Sequence, residues 1–217
     1  MKTITFYLDF ISPYAYLAFE KLPQTLEGIS HQVVYKPVLL GALLRHHGQL
    51  GPAEIVGKRE WTYRQVLWLA REEGIPLQMP RQHPFAPLPL LRLAVACGQT
   101  GLPNRWVCET VFHHVWRGAG ADSNEPGRLA QLRAQLQPAR SPDEESVKAD
   151  LRAHTEAAAA QRVFGVPLFE VDGEHFWGLD ALPLLRAYLQ GDPWFSGPWR
   201  EASQVLMSLD GAPAGRE

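Results

Sequence analysis

FYLDFISPYAYLAFEKL, residues 6 to 22, decides the fold. Ile4, Phe6, Leu8 and Phe10 repeat every second position, as a strand does, and Tyr7 gives the opposite face some apolar character too. A strand covered on both faces belongs in the middle of a sheet. At Ser12-Pro13 the period changes. Serine is a strong N-cap, and proline suits the first helical position because its missing N–H has no intrahelical partner there. Ala15, Ala18, Phe19, Leu22 and Leu26 then share one helical face. The junction presents backbone N–H groups and the positive end of a helix dipole beside the Ser12 hydroxyl, a place suited to an anion or a thiolate.

Outward from that junction, Gly28 closes the helix and Val33-Val34-Tyr35 predicts a second strand ending near Pro37, which completes a right-handed β-α-β unit. From Leu39 to about Ala134 the apolar spacing is helical, and the connections GQLGP and PLQMPRQHPFAPLP are rich in proline and glycine. A further helix is expected to begin near Ser141-Pro142-Asp143-Glu144. Val166 to Val171, Asp172-Gly173 and Glu174 to Trp177 read as strand, turn and strand. A last helix runs from about Asp180 to Leu189. This order predicts an α/β protein with a thioredoxin-like mixed sheet and a large all-helical insertion. The expected division is 1–38 and 141–195 for the two parts of the thioredoxin-like domain and 39–140 for the insertion. Residues 196–217 are expected to be a partly disordered tail, while the two tryptophans and a proline that follow Asp192 can dock on the body.

The 217 residues are 46% hydrophobic and 20% charged, enough to bury a core, and the net charge of -2 is spread without a basic run, which argues against nucleic acid. No segment is long and apolar enough to span a bilayer, and the first strand starts within a few residues of Met1; the expected compartment is the cytoplasm. The two cysteines, Cys97 and Cys108, form no C-x-x-C and are expected to be buried thiols. Glu109 and His113 stand one turn apart and are expected to pair on a helix surface; they do not make H-E-x-x-H, and no metal is expected.

Pro167 falls at the start of the third strand, where the fold places it opposite Ser12. A cis Val166-Pro167 bond would turn the Val166 backbone toward the cleft, where an extended peptide can pair with it. Lys36, Gln49, Lys58 and Asp180 are the other polar candidates near this cleft, Lys58 at the start of an inserted helix and Asp180 at the start of the last one.

Five motifs in one order, DFISPYAYLA (9–18), YKPVLLGAL (35–43), GKREW (57–61), GIPLQMPRQHPF (74–85) and GVPLFEVDGEHFWGLDAL (165–182), resemble the 2-hydroxychromene-2-carboxylate isomerases. These are related to the kappa-class glutathione transferases and the DsbA-like branch of the thioredoxin superfamily. The resemblance covers about residues 3 to 190. It implies that Ser12 stands where redox relatives have their first cysteine and that glutathione brings the missing sulfur. It further implies that Pro167 is cis, that the Val166 backbone, Gln49 and Trp177 line the glutathione site, and that Lys58 and Asp180 anchor the tripeptide's charged ends. A small aromatic or electrophilic second substrate and a homodimer are implied as well. The chain departs from the pattern at five positions: Gln49 and Ala86 replace asparagine, Ala181 arginine, Trp61 tyrosine and Gln65 aspartate. Loss of a polar partner in a buried site costs about 1–3 kcal/mol, so these changes bear on the second-substrate pocket. For that pocket the residues offer Lys36 or an arginine as the cation and Trp61, Trp68 and Phe85 as the apolar wall. Disulfide exchange, the rival chemistry on this fold, lacks its thiols in Ser12-Pro13-Tyr14-Ala15. Conjugation of glutathione to electrophiles is the nearer alternative to isomerisation.

Overall fold

In the computed structural model, which describes residues 1–202, 204 and 205, the opening stretch forms strand β1 (Lys2–Leu8) and helix α1 (Pro13–Thr25), with a four-residue turn between them. Strand β2 (His31–Pro37) lies parallel to β1, while β3 (Leu168–Val171) and β4 (Glu174–Trp177) follow antiparallel in the order β2-β1-β3-β4. The central position of β1 accounts for its apolar residues on both faces. Between β2 and β3 run α2 (Leu40–His46), α3 (Val56–Glu72), α4 (Leu88–Cys97), α5 (Arg105–Trp116), α6 (Pro126–Leu136) and α7 (Glu145–Ala160). After β4 come a 3₁₀ turn (Leu179–Ala181) and α8 (Leu182–Leu189).

The sequence places several ends differently. The strand containing Pro167 begins one residue after it, because the proline lacks a ladder donor. The helix expected from Ser141 starts at Glu145, since the Ser141 N–H is taken by the Glu144 carboxylate in a preceding turn. Asp180 lies in the 3₁₀ turn, two residues before the helix it was expected to open.

Alternation along β1 separates two apolar clusters. Ile4, Phe6 and Leu8 face the larger one with α1, α4, α5 and α8; Tyr7 joins the smaller one with Leu43 of α2 and Ala158 of α7. The larger cluster runs without a break from the sheet into the helical block, since Val66, Leu90, Val111 and Trp116 belong to it alongside Phe6 and Phe19. Phe112 of α5 is its hinge: its ring centroid lies 4.9 Å from that of Phe10 and 5.1 Å from that of Phe19. Truncating so large a buried ring costs about 3–5 kcal/mol, and here it would also loosen the turn that carries Ser12. Beyond α8, a 3₁₀ turn (Pro193–Ser196) and α9 (Pro198–Ala202) dock as expected. Phe195 is buried, and Trp199 stacks on Phe176 and donates to Glu174 at 2.8 Å. The expectation of disorder for the end of the chain lies outside the described residues from 206 onward.

Candidate active site

The turn from Asp9 to Ser12 is held by nearly every polar group it has. The Ser12 N–H donates to the Asp9 carbonyl at 3.1 Å. Asp9 is fully buried, and its carboxylate accepts from Ile11 N at 3.2 Å and, across the chain, from Leu40 N at 2.9 Å, the first N–H of α2. The indole of Trp116 donates to the Phe10 carbonyl at 3.1 Å. The His83 Nε2 lies 2.8 Å from the Ile11 carbonyl. A carbonyl can only accept, so this nitrogen carries the proton. Burial pulls the His83 pKa below its ordinary value and keeps the ring neutral. Its Nδ1 is therefore an acceptor and faces the Tyr63 hydroxyl at 2.9 Å, a hydroxyl also 2.7 Å from the His83 carbonyl.

Ser12 itself is buried and caps α1, its Oγ accepting from Ala15 N at 3.1 Å. Tyr16 N is taken by the Ser12 carbonyl and Pro13 has no N–H, which leaves Tyr14 N as the first-turn donor able to serve a ligand. The Ser12 hydroxyl proton points at the Val166 carbonyl over 3.5 Å. That long bond is weak and easily exchanged for a better acceptor. The Val166-Pro167 peptide is cis, as the resemblance implied, and His83-Pro84 is a second cis peptide that the sequence did not announce.

Tyr14 extends from the start of α1 to α3, donating to Gln65 Oε1 at 2.6 Å. Burial raises its phenol above the ordinary value; a hydrogen bond with Thr62 opposes this and the Asp180 charge adds to it. Asp180 therefore lies within electrostatic reach of Tyr14, on the same side of the molecule as α3. Asp180 and Lys58 are both exposed, and neither forms an ion pair with another described residue. Lys58 is the third residue of α3, and Lys58, Thr62 and Gln65 follow one another at helical spacing.

The remaining expected residues are less closely joined. Gln49 is exposed in the loop after α2, with its backbone N–H on the Leu44 carbonyl at 2.8 Å. Trp177 ends β4 with its ring half exposed against Phe164, at 5.1 Å between centroids, and close over Gly165. Lys36 points to the other sheet face, 5.5 Å from the Tyr7 ring and near Glu170 and His154. His113 pairs with Glu20 of α1 at 2.8 Å, not with Glu109. Cys108 is buried and Cys97 partly so, with its thiol pushed up to about 11 by burial; neither is in the Ser12 turn. Sequence reasoning missed Asp9, Tyr63 and Trp116. For Asp9 there was a signal, a charge closing an otherwise apolar strand.

A thioredoxin-type sheet, a hydroxyl at the head of α1 and a proline turn facing it define a class of protein. The family profile described as DSBA-like thioredoxin domain matches residues 3–190, and the chain belongs to that family, in its 2-hydroxychromene-2-carboxylate isomerase and kappa transferase branch. It is 30% identical over 199 residues to a 2-hydroxychromene-2-carboxylate isomerase of Sphingobium xenophagum, covering 87% of this chain and 98% of that protein. Glutathione S-transferase kappa 2 of Caenorhabditis elegans is 26% identical, with 92% and 96% covered. A solved 2-hydroxychromene-2-carboxylate isomerase superposes with a TM-score of 0.74 over 94% of this chain and 100% of that one, at 22% identity, which supports the fold.

Proposed function

We propose that the protein is a glutathione-dependent isomerase of 2-hydroxychromene-2-carboxylate or a related aromatic enone acid. The observation that carries this reading is the Ser12 hydroxyl, fixed at the N-terminus of α1 and bound only loosely to the Val166 carbonyl. The surrounding groups suit the tripeptide: hydroxyl and N–H donors for sulfur, a backbone carbonyl for an amide, and two unpaired charges of opposite sign for its ends. When bound, glutathione supplies a thiolate that adds reversibly to the conjugated double bond, so that the bond can rotate before elimination restores it.

The chain's own residues account for the rest. Ser12 turns its proton from the Val166 carbonyl to the sulfur, and the Tyr14 N–H and the helix dipole favour the anionic form there. Asp180 holds the γ-glutamyl amine and Lys58 a carboxylate, while the Val166 backbone orients the cysteinyl portion. Gln49 and Trp177 border this site more loosely. Asp9, His83 and Trp116 keep the turn still, so that the donors need no rearrangement during reaction. The expected state is a cytoplasmic homodimer, a reading that rests on the family resemblance and that sedimentation tests.

The test is turnover of trans-o-hydroxybenzylidenepyruvate with and without glutathione, with mass analysis of the thiol afterwards. Isomerisation that requires glutathione and leaves it undiminished is expected. Stoichiometric loss of thiol into a stable product would move the assignment to a conjugating transferase, the second reading, which the kappa-class relative favours. Full activity without glutathione would refute both.

A further inference from the structure

Helices α5 and α6 enclose a groove of about 460 Å³, within the range of roughly 300–1,000 Å³ usual for small-molecule sites. None of the residues that line it belongs to the Ser12 site. Along α5, Trp106, Glu109, Thr110 and His113 follow one another at spacings of three, one and three, so they share one face. Gln131, Leu132 and Gln135 of α6 form the opposite wall. Leu132 is buried, whereas the Trp106 indole is 49% exposed.

The basic groups of the groove are already engaged. Arg128 donates through Nη1 to the Asp122 carbonyl and through Nη2 to the His114 carbonyl, both at 2.6 Å. His114 Nε2 lies 2.8 Å from the Ser123 carbonyl and must donate to it, and burial holds the ring's pKa below its ordinary value, so the ring is neutral. His113 is held by Glu20, and the Thr110 hydroxyl donates within its own helix to the Trp106 carbonyl. Glu109, Gln131, Gln135 and the Trp106 indole N–H are different: none has a hydrogen-bond or ion-pair partner among the described residues.

Charge balance selects the ligand. Arg117 and Arg128 stand against Glu20 and Glu109 around the groove, while Arg105 turns away onto the Phe19 ring, so neither an anion nor a cation gains by entering. What is left to a ligand is a carboxylate that only accepts, two amides that donate and accept, and an indole with an open face. Neighbouring hydroxyls, each a donor and an acceptor, match the carboxylate and amides, and the C–H face of a pyranose ring matches the indole. We propose that the α5–α6 groove is a second binding site, for a neutral polyhydroxyl ligand of the pyranoside class, which stacks on Trp106 and hydrogen-bonds to Glu109, Gln131 and Gln135. The groove is open to water, so the dissociation constant is on the order of 1–10 mM. This site is independent of glutathione and of the Ser12 hydroxyl.

The experiment is a titration of the full chain with maltose and with cellobiose, read by saturation-transfer NMR on the sugar protons and by the indole signal of Trp106. Spermidine and inorganic phosphate serve as the cationic and anionic comparisons. At least one disaccharide should bind saturably below about 50 mM. Trp106→Ala should abolish that binding. Glu109→Leu and Gln131→Leu, which keep the bulk of each side chain on an exposed helix face, should each weaken it by about fivefold. Trp194→Ala, which removes an indole 43% exposed outside the groove, should leave it unchanged. Absence of saturation with both disaccharides, or tighter binding of spermidine or phosphate, would overturn the proposal. So would unchanged affinity in Trp106→Ala or in both leucine variants, or an equal loss in Trp194→Ala.

Discussion

The two sides of the cleft are built differently. On the sheet side, the groups offered to a ligand are mostly main chain: the head of α1, the Val166 carbonyl and the loosely engaged Ser12 hydroxyl. On the helical side they are side chains: Lys58, Gln65 and the exposed indoles of Trp61 and Trp68. Main-chain donors depend on the fold and change little with sequence, so the sheet side can keep one chemistry. Side chains on an exposed helix can change singly, and all five departures from the resembled pattern except Ala181 fall between α2 and α4 or in the loops joining them. On the proposed function, chemistry belongs to the first side and choice of substrate to the second.

The joint between the sides is the place to break this comparison most severely. Asp9 links the end of β1 to the first N–H of α2, and burial pushes its carboxyl up to about 7 despite N–H groups from Leu40, Ile11 and Phe10 that favour the anion. An acid whose folded pKa is raised binds more protons folded than unfolded between about pH 4 and pH 7. Its contribution to stability therefore falls as pH rises through that window, by on the order of 4 kcal/mol in full. Three histidines, His83, His114 and His154, are lowered by burial and act in the opposite sense, destabilising the fold as pH falls through their range. The wild-type curve mixes the two. Denaturant melts of Asp9→Asn minus wild type, taken from pH 5 to pH 8, isolate the carboxyl: the difference should move in the variant's favour as pH rises. A constant difference would deny Asp9 this titration.

The next largest effect belongs to the sheet side. Ser12→Ala keeps the helix dipole and the Tyr14 N–H but loses the hydroxyl, and turnover should fall by about 10²-fold with glutathione affinity little changed. Asp180→Ala, in the turn after β4, and Lys58→Ala, on α3, should each weaken glutathione by about tenfold in calorimetry. Unchanged affinity in both would remove the assigned anchors. The smallest effect is expected at His83, which acts through the Ile11 carbonyl. His83→Phe should lower kcat several-fold with KM nearly constant, and His83→Gln, which can still donate, should recover part of it. A kcat for the glutamine variant no better than for phenylalanine would mean that His83 serves packing alone.

The fold was legible because its signals are local. Alternation in β1, the Ser12-Pro13 start, the Asp172-Gly173 turn and the return strand all lie within a few residues of what they specify. Part of the candidate site was legible for the same reason: Ser12 caps its own helix, Lys58 lies in the first turn of α3, and Asp180 lies in the 3₁₀ turn just before α8. The groups that pin the Ser12 turn were not, because they arrive from afar. Trp116 is 106 positions from its acceptor Phe10, and His83 is 72 from Ile11. Lys36 shows the converse error. Its distance along the chain from the cleft is short, yet the pleat of β2 sends it to the opposite sheet face beside Tyr7.

In the proposed function the head of α1 and the Ser12 hydroxyl hold glutathione as its thiolate. Ultraviolet titration of the thiolate band of bound glutathione, against S-methylglutathione as the blank, tests it without any second substrate. The bound thiol should ionise well below the free value of about 8.5, and Ser12→Ala should return it toward that value. A bound thiol that titrates where free glutathione does, with the same curve in wild type and Ser12→Ala, would contradict the account.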